Sequence, residues 1–575
     1  MLKTILPVSL ILLFPFINNA QSIVGKGNAV DPYNYSIQKD QTFSKGAIAC
    51  AHPIASMVGA AILKQGGNAI DAVIATQLAL AVVYPGAGNI GGGGFMVARL
   101  KDGKTFTLDY RETAPAKAGR DMYLDKEGNA QSNLSQYGHL ASGVPGTVSG
   151  LFAGMKYAKL SFKTLIQPAI DLAEKGYTLT KAEAAKFNNA QADFKKYNTV
   201  IPVFVKEAGW KAGDTVVQKD LANTLKRIRD KGAAGFYEGE TARLITEEMQ
   251  RGNGLITLDD LKNYKTKERK PIKFDYKGYT VVSMPPPSSG GVLLWQMLKM
   301  VEKSPLASYG FETAKSVQLM TEAERRAYAD RAQHLGDPDF WKVPVTQITR
   351  DTYLARRMAD YDSTKAGKSS GIKAGIIEST ETTHISIMDQ WGNVASVTTT
   401  LNGNFGSKTV VDGAGFFLNN EMDDFSAKPG VPNMYGAVGG EANAIAPGKR
   451  MLSSMAPTIV LKNNKPFMVV GTPGGTTIPT SVFQTIVDVI DFKMSPSDAV
   501  NKPKFHHQWL PDELVIEKGF AKEVVDQLRL MGYTIKGYNI PNYEEVIGRV
   551  ELIKVSNGKL EAAADTRGDD TVAGF

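Results

Sequence analysis

Thr382-Thr383-His384-Ile385-Ser386-Ile387-Met388-Asp389-Gln390-Trp391-Gly392-Asn393-Val394-Ala395-Ser396-Val397-Thr398-Thr399-Thr400-Leu401 reads as two strands around a short turn. The two arms, Thr382 to Met388 and Val394 to Leu401, alternate and are rich in β-branched residues. Asp389 to Asn393 between them has hairpin length and a glycine. The preceding segment, Asp362 to Glu381, is Ser, Thr, Lys and Gly with little periodicity, which predicts an exposed, mobile connector. A connector that stops abruptly at a strand-initiating threonine is the feature of this chain that most needs a chemical reason.

One reason lies in the residue type. A threonine hydroxyl is a poor nucleophile until a base takes its proton. If the Glu381–Thr382 bond is cut, the new α-amine has a pKa of about 8, close to the working pH, and the base then rides on the nucleophilic residue itself. Branching at Cβ also stiffens χ1 and fixes the angle of Oγ. The plainer alternative, a β-branched residue that simply starts a strand, fits the local pattern equally well.

Toward the N-terminus, Gly46 to Ala51 reads as a strand, Pro53 to Lys64 as a helix stopped at Gln65-Gly66-Gly67-Asn68, and Ala69 to Val83 as a second, strongly apolar helix. Phe95 to Leu100 is strand-like. Between them, Gly86-Ala87-Gly88-Asn89-Ile90-Gly91 matches G-x-G-x-x-G, with Asp109 further on. A dinucleotide site needs strand, loop, then helix, so that a helix N-terminus faces the pyrophosphate. Here the order is helix, loop, strand, and the glycines instead predict a close approach of backbone to another element. Helical patterns occupy Phe162 to Lys175, Leu221 to Lys231 and Thr313 to Arg331. Tyr276 to Met284 reads as a strand, a helix starts at Val292, and the chain from Leu401 to about Val470 as strand-rich with glycine loops.

Composition narrows the class. Of 575 residues, 43% are hydrophobic and 22% charged, the balance of a globular chain with a sizeable core. The net charge of +8 is spread out, with no dense Lys/Arg block to bind nucleic acid. Lys3, the apolar run Ile5 to Ile17 and Asn18-Asn19-Ala20-Gln21 predict a cleaved secretory signal over residues 1–20 and a periplasmic or secreted protein. No cysteine stands at the cleavage point, so no membrane anchor is expected. Cys50 is the single cysteine, in a small apolar context that predicts a buried structural thiol rather than a nucleophile.

The opening stretch, with its Asp389…Gly392-Asn393 turn and Thr398-Thr399-Thr400-Leu401-Asn402, resembles the γ-glutamyltranspeptidase family of N-terminal nucleophile hydrolases. So do Leu108 to Glu112, Asn419 to Phe425, Leu452 to Met455, Pro473-Gly474-Gly475, Gly91 to Phe95, Gly143 to Thr147, Pro285 to Gly291, Leu335 to Asp339 and Phe505 to Pro511, in order along nearly the whole chain. The resemblance implies an α+β, four-layer αββα sandwich formed jointly by two subunits from one precursor: a large one over 21–381 and a small catalytic one over 382–575. It implies that Thr382 cuts the Glu381–Thr382 bond and then serves as nucleophile. Thr400 would hydrogen-bond its hydroxyl and amine, and the N–H groups of Gly474 and Gly475 would form the oxyanion hole.

The same resemblance assigns the acyl site. Arg111 would grip the α-carboxylate of a γ-glutamyl group with its planar fork, helped by Ser453 and Ser454. Asn402, Glu421 and Asp424 would receive the α-ammonium. Pro429 to Gly440, with Tyr435, would be a lid over the substrate. The expected reaction passes the γ-glutamyl group of glutathione and related amides to water or to amino acid and peptide acceptors, with no metal or cofactor. His506-His507 lacks a third ligand at useful spacing. Thr476-Thr477-Ile478-Pro479 and Gly403-Asn404 depart from the family pattern, beside the proposed groups rather than on them. A cephalosporin (glutaryl) acylase of the same fold is the nearest rival, and a non-catalytic binding protein for γ-glutamyl compounds is the rival of another class.

Overall fold

The computed structural model describes residues 22–371, 382–426, 428, 440–537 and 546–575. The expected signal segment, Glu381 and Tyr435 lie outside the described residues. Fourteen strands make two antiparallel sheets: β1 (Asp40–Phe43), β2 (Ala47–Cys50), β3 (Gly93–Arg99), β4 (Thr105–Asp109), β5 (Lys267–Arg269), β6 (Ile272–Tyr276), β7 (Tyr279–Ser283), β8 (Thr383–Met388), β9 (Val394–Thr400), β10 (Thr458–Lys462), β11 (Lys465–Gly471), β12 (Glu551–Ser556), β13 (Lys559–Ala564) and β14 (Thr571–Gly574). One sheet runs β14-β2-β8-β9-β3-β4-β5 and the other β1-β13-β12-β11-β10-β7-β6.

The strand period explains the layering. In β2 and β8, Ile48, Cys50, Ile385 and Ile387 join the core formed with helices α1 (Pro53–Lys64) and α2 (Ala69–Val83). Ala47, Ala49 and Met388, one residue out of phase, join the second core, which contains β10 and β11 and the outer helices α3 (Gly290–Val301), α4 (Ala314–His334) and α5 (Thr477–Ile490). The result is the αββα sandwich. Both early helices keep the limits the sequence predicts, because α2 opens on a capping box: Asn68 accepts from Asp71 N, and Asp71 accepts from Asn68 N at 2.8 Å. Cys50 is buried, and burial pushes its thiol up, as the sequence context predicts.

Three expectations need correction. Tyr276 to Met284 is not one strand: Lys277 (φ 46°) and Gly278 (φ 80°) turn the chain, pairing β6 with β7. The stretch from 401 to 457 holds no strand among its described residues, only single bridges such as Val410–Phe417 and Ser426–Ala444. Its backbone is held by distant side chains, with Asn402, Phe405 and Lys408 at positive φ. Third, residues 362–371 are pinned rather than loose. Gln318 Nε2 donates to Asp362 O at 2.9 Å, Ala366 N to Met531 O at 2.7 Å, and Gly367 N to Glu322 Oε1 at 3.0 Å. Ser369 is held at both ends, its N–H by Asp512 Oδ2 at 2.8 Å and its carbonyl by Trp509 Nε1 at 3.0 Å.

The glycine run confirms the close-approach reading. A Cβ on Gly92 would lie 2.2 Å from the carbonyl oxygen of Thr400, so only glycine lets this loop pass the end of β9. Between the sheets sits a polar line that the strand period alone does not explain. His384 Nδ1 is 2.8 Å from Thr398 Oγ1, and its Nε2 is 3.1 Å from Ser386 Oγ. A Cβ on Gly471 would stand 2.1 Å from this pinned ring. Gly471→Ala is therefore expected to lose about 3 kcal/mol of stability, read as a lowered denaturation midpoint; an unchanged midpoint would show that the ring moves freely.

Burial pushes His384 down to about 3. Its folded pKa lies below the unfolded value, so it costs stability as pH falls below about 6.5, until the folded form itself protonates near pH 3. From pH 7 to pH 5 the wild type should lose roughly 2 kcal/mol through this residue alone. His384→Asn lacks that loss, so the stability gap between the two proteins should narrow by that amount at pH 5. Denaturant titration at both pH values checks it.

Candidate active site

Thr382 immediately precedes β8. The ladder pairs Thr383 with Thr399, so one step further places Thr382 opposite Thr400. Both have the parity of His384 and Thr398 and face the space between the sheets. Thr382 is 4% exposed and Thr400 3%. Thr400 Oγ1 accepts from Asn402 N at 2.8 Å, which turns the chain out of β9 at Asn402 (φ 73°). Asn402 Nδ2 donates to Asn420 O at 3.0 Å and so ties this turn to the acidic segment.

Beyond β11, Gly474 (φ 134°) and Gly475 (φ 56°) form a left-handed turn into α5. Their carbonyls accept from Thr477 N at 3.0 Å and Ile478 N at 3.1 Å. Their N–H groups have no acceptor among the described residues. Two successive donors at a helix N-terminus are suited to a developing oxyanion. Tyr328 of α4 donates its hydroxyl to Thr476 O and steadies the turn.

Arg111 follows β4 and is 1% exposed. Its Nη1 lies 2.6 Å from Glu421 Oε2 and its Nη2 pairs with Asp424. Nε reaches Met451 O at 3.4 Å and Nη2 reaches Leu452 O at 3.3 Å. The three expected charge-recognising groups are thus brought together, but paired with one another. The carboxylate of Glu112, beside them at 3.6 Å from Arg111 Nη1, has no side-chain hydrogen bond among the described residues, and burial pushes it up to about 8. Asp423 is raised to about 7 for the same reason, against a hydrogen bond from Ser135.

Ser453 and Ser454 end the wall. Ser453 Oγ accepts from Met455 N at 3.2 Å, and its carbonyl takes Ser289 N at 2.7 Å. Ser454 Oγ accepts from Arg331 Nη2 at 3.1 Å. Sequence reasoning gave no role to the residues that place these groups. Asn89 donates to Thr400 O at 2.9 Å and accepts from Gly92 N at 3.0 Å and Thr147 Oγ1 at 2.7 Å. Asn419 joins Gly91, Gly143 and Glu421. The signal for both was an asparagine next to a glycine-rich or acidic block. For Arg331, a charged residue on an otherwise ordinary helix, there was none.

His506 and His507 are structural. His506 meets Thr480 at 2.9 Å and Gln508 at 2.7 Å, and His507 Nδ1 accepts from Trp509 N at 3.0 Å. Burial lowers each to about 4. Among the described residues no His, Cys, Asp and Glu group is arranged to hold a metal.

Two stacked antiparallel sheets between helices, with a threonine at the start of an inner strand, are the architecture of the N-terminal nucleophile hydrolase class. The family model described as gamma-glutamyltranspeptidase matches residues 55–575, and the chain belongs to that family. It is 46% identical over 564 residues to the glutathione hydrolase proenzyme of Escherichia coli (strain K12), covering 95% of each chain. It is 34% identical over 544 residues to the acylase ACY 1 proenzyme of Pseudomonas sp. (strain SE83), covering 93% of this chain and 94% of the other. The crystal structure of cephalosporin acylase from Bacillus halodurans superposes with a TM-score of 0.82 at 27% identity, covering 95% of this chain and 99% of that one.

Proposed function

We propose that the chain is an autoprocessed glutathione hydrolase and γ-glutamyltransferase whose nucleophile is Thr382 Oγ. The precursor is cut between Glu381 and Thr382 into a large and a small subunit. Thr382's freed α-amine then takes the hydroxyl proton as Oγ attacks the γ-carbonyl of glutathione or a related amide. The C–N bond breaks, the proton passes to the departing amine, and a γ-glutamyl ester remains. Water or an amino acid or peptide amine resolves it by the reverse route. Gly474 and Gly475 N–H groups stabilise the oxyanion in both halves, each worth about 3 kcal/mol. Thr400 orients the nucleophile. The closing role of Tyr435 rests on the resemblance. Among the described residues no helix is long and apolar enough to cross a membrane, and the N-terminal pattern supports export to the periplasm or beyond.

The observation that carries the substrate class is the gathering of Arg111, Glu421 and Asp424 in one buried cluster next to the segment that leads into Ser453. A γ-glutamyl head brings one carboxylate for Arg111, Ser453 and Ser454, and one ammonium for Asn402, Glu421 and Asp424. A glutaryl group brings a carboxylate alone and offers Glu421 and Asp424 no cation in return, which is costly in a buried site. The cluster therefore favours a γ-glutamyl over a glutaryl acyl group. The test is kcat/KM for γ-glutamyl and glutaryl anilides: the γ-glutamyl compound should lead by at least about 100-fold, and a glutaryl preference sinks the assignment.

A further inference from the structure

Ahead of Ser453 and Ser454 runs a short helical turn, Glu441–Asn443, whose last residue touches both sides of the acyl site. Asn443 is 5% exposed. Its Nδ2 donates to Asp424 O at 2.6 Å and its Oδ1 accepts from Leu452 N at 2.9 Å. One planar amide therefore spans the backbone behind the acid expected to bind the ammonium and the backbone that leads directly into Ser453. Its own main chain is fixed as well. Ser426 N donates to Asn443 O at 2.9 Å, and Lys449 Nζ caps Ala442 O at 2.9 Å and Ala444 O at 2.8 Å, one residue to either side.

We propose that Asn443 is a specificity-determining positioning residue: it sets the separation of the ammonium-binding and carboxylate-binding sides, so that only an acyl group carrying both charges on one carbon fits. The inference rests on the γ-glutamyl reading of the site. A side-chain amide suits the task because it donates at one end and accepts at the other, and no other side chain of that size does both without titrating. Besides it, the two segments are joined through Arg111, which holds Asp424, Met451 O and Leu452 O, and through the packing of Met422 and Phe425 with Met451, none of which links the two backbones directly. Without Asn443 the separation would relax, and a loss of about 1 Å in fit at a paired-charge site is large.

The test uses the full, processed protein with Asn443→Ala, which removes both bonds, and Asn443→Asp, which keeps the shape and the acceptor but not the donor. KM for a γ-glutamyl anilide should rise about tenfold or more with kcat within about threefold. The γ-glutamyl to glutaryl ratio of kcat/KM should drop about tenfold, and self-cleavage should proceed as in the wild type. If Asn443→Ala fails to fold, the isosteric Asp variant decides. Wild-type KM and ratio in a folded variant, or equal loss of kcat on both anilides with the ratio preserved, would overturn the proposal. A wild-type enzyme with no γ-glutamyl preference would instead overturn the site reading beneath it.

Discussion

Thr382→Ala is expected to purify as one uncut chain with no measurable turnover, a loss of about 10⁴- to 10⁶-fold against the processed enzyme. The size of the effect follows from one residue carrying three roles. On the proposed mechanism its Oγ attacks the chain's own peptide bond, its α-amine exists only after that attack, and the same Oγ then attacks substrate. Removing Oγ blocks the first step, so the base is never created. Thr382→Ser keeps the hydroxyl but loses the Cβ branch that holds it. It should still be cut, more slowly, with activity reduced about tenfold. Gel electrophoresis over days and anilide turnover distinguish the two variants. A Thr382→Ala protein that still splits into two fragments would remove the nucleophile from the account.

Asp424→Ala should lower kcat/KM for γ-glutamyl substrates by about 10²- to 10⁴-fold, because breaking one side of a buried ion pair costs roughly 3–5 kcal/mol. Arg111 would keep Glu421, at 2.6 Å, as its principal partner. The incoming ammonium would meet one carboxylate instead of two. The glutaryl substrate has no ammonium to lose, and deleting a carboxylate removes repulsion against its own charge. Its kcat/KM should fall less, or rise, so the ratio between the substrates narrows sharply. Equal loss for both would mean that Asp424 supports the fold around Arg111 rather than reading the ammonium.

What the sequence disclosed was whatever is encoded locally. Helices α1 and α2 were legible to the residue because their caps and glycine stop are written next to them. The hairpin of β8 and β9 was legible from alternation. The helix, loop, strand order around the glycine run was legible, and the close approach it predicts is seen at Gly92 against Thr400 O. The chain from 401 to 457 reads as strand-rich but forms none among its described residues, because its backbone answers to side chains from elsewhere in the loop: Asn402 for Asn420, Asn443 for Leu452, Lys449 for Ala442. The pinning of residues 362–371 is of the same kind, since Trp509, Asp512 and Met531 lie far along the chain.

For the site, residue types and the family resemblance named the charged groups, and the fold brings Arg111, Glu421 and Asp424 into one cluster. Their pairing with each other was not legible, since it depends on Arg111 leaving β4 toward a loop more than three hundred residues away. The supporting asparagines stand beside glycine-rich or acidic blocks, but what they join was not legible, for the same reason. A buried amide's value lies in which two backbones it joins, and periodicity carries no record of that.

The central claim is that cleavage before Thr382 creates the catalytic base, and N-terminal sequencing of the smaller fragment of the purified protein tests it most directly. The fragment should begin Thr-Thr-His-Ile-Ser, and activity should appear in step with its release. A fragment that begins at any other residue, or full activity in the uncut chain, would contradict it.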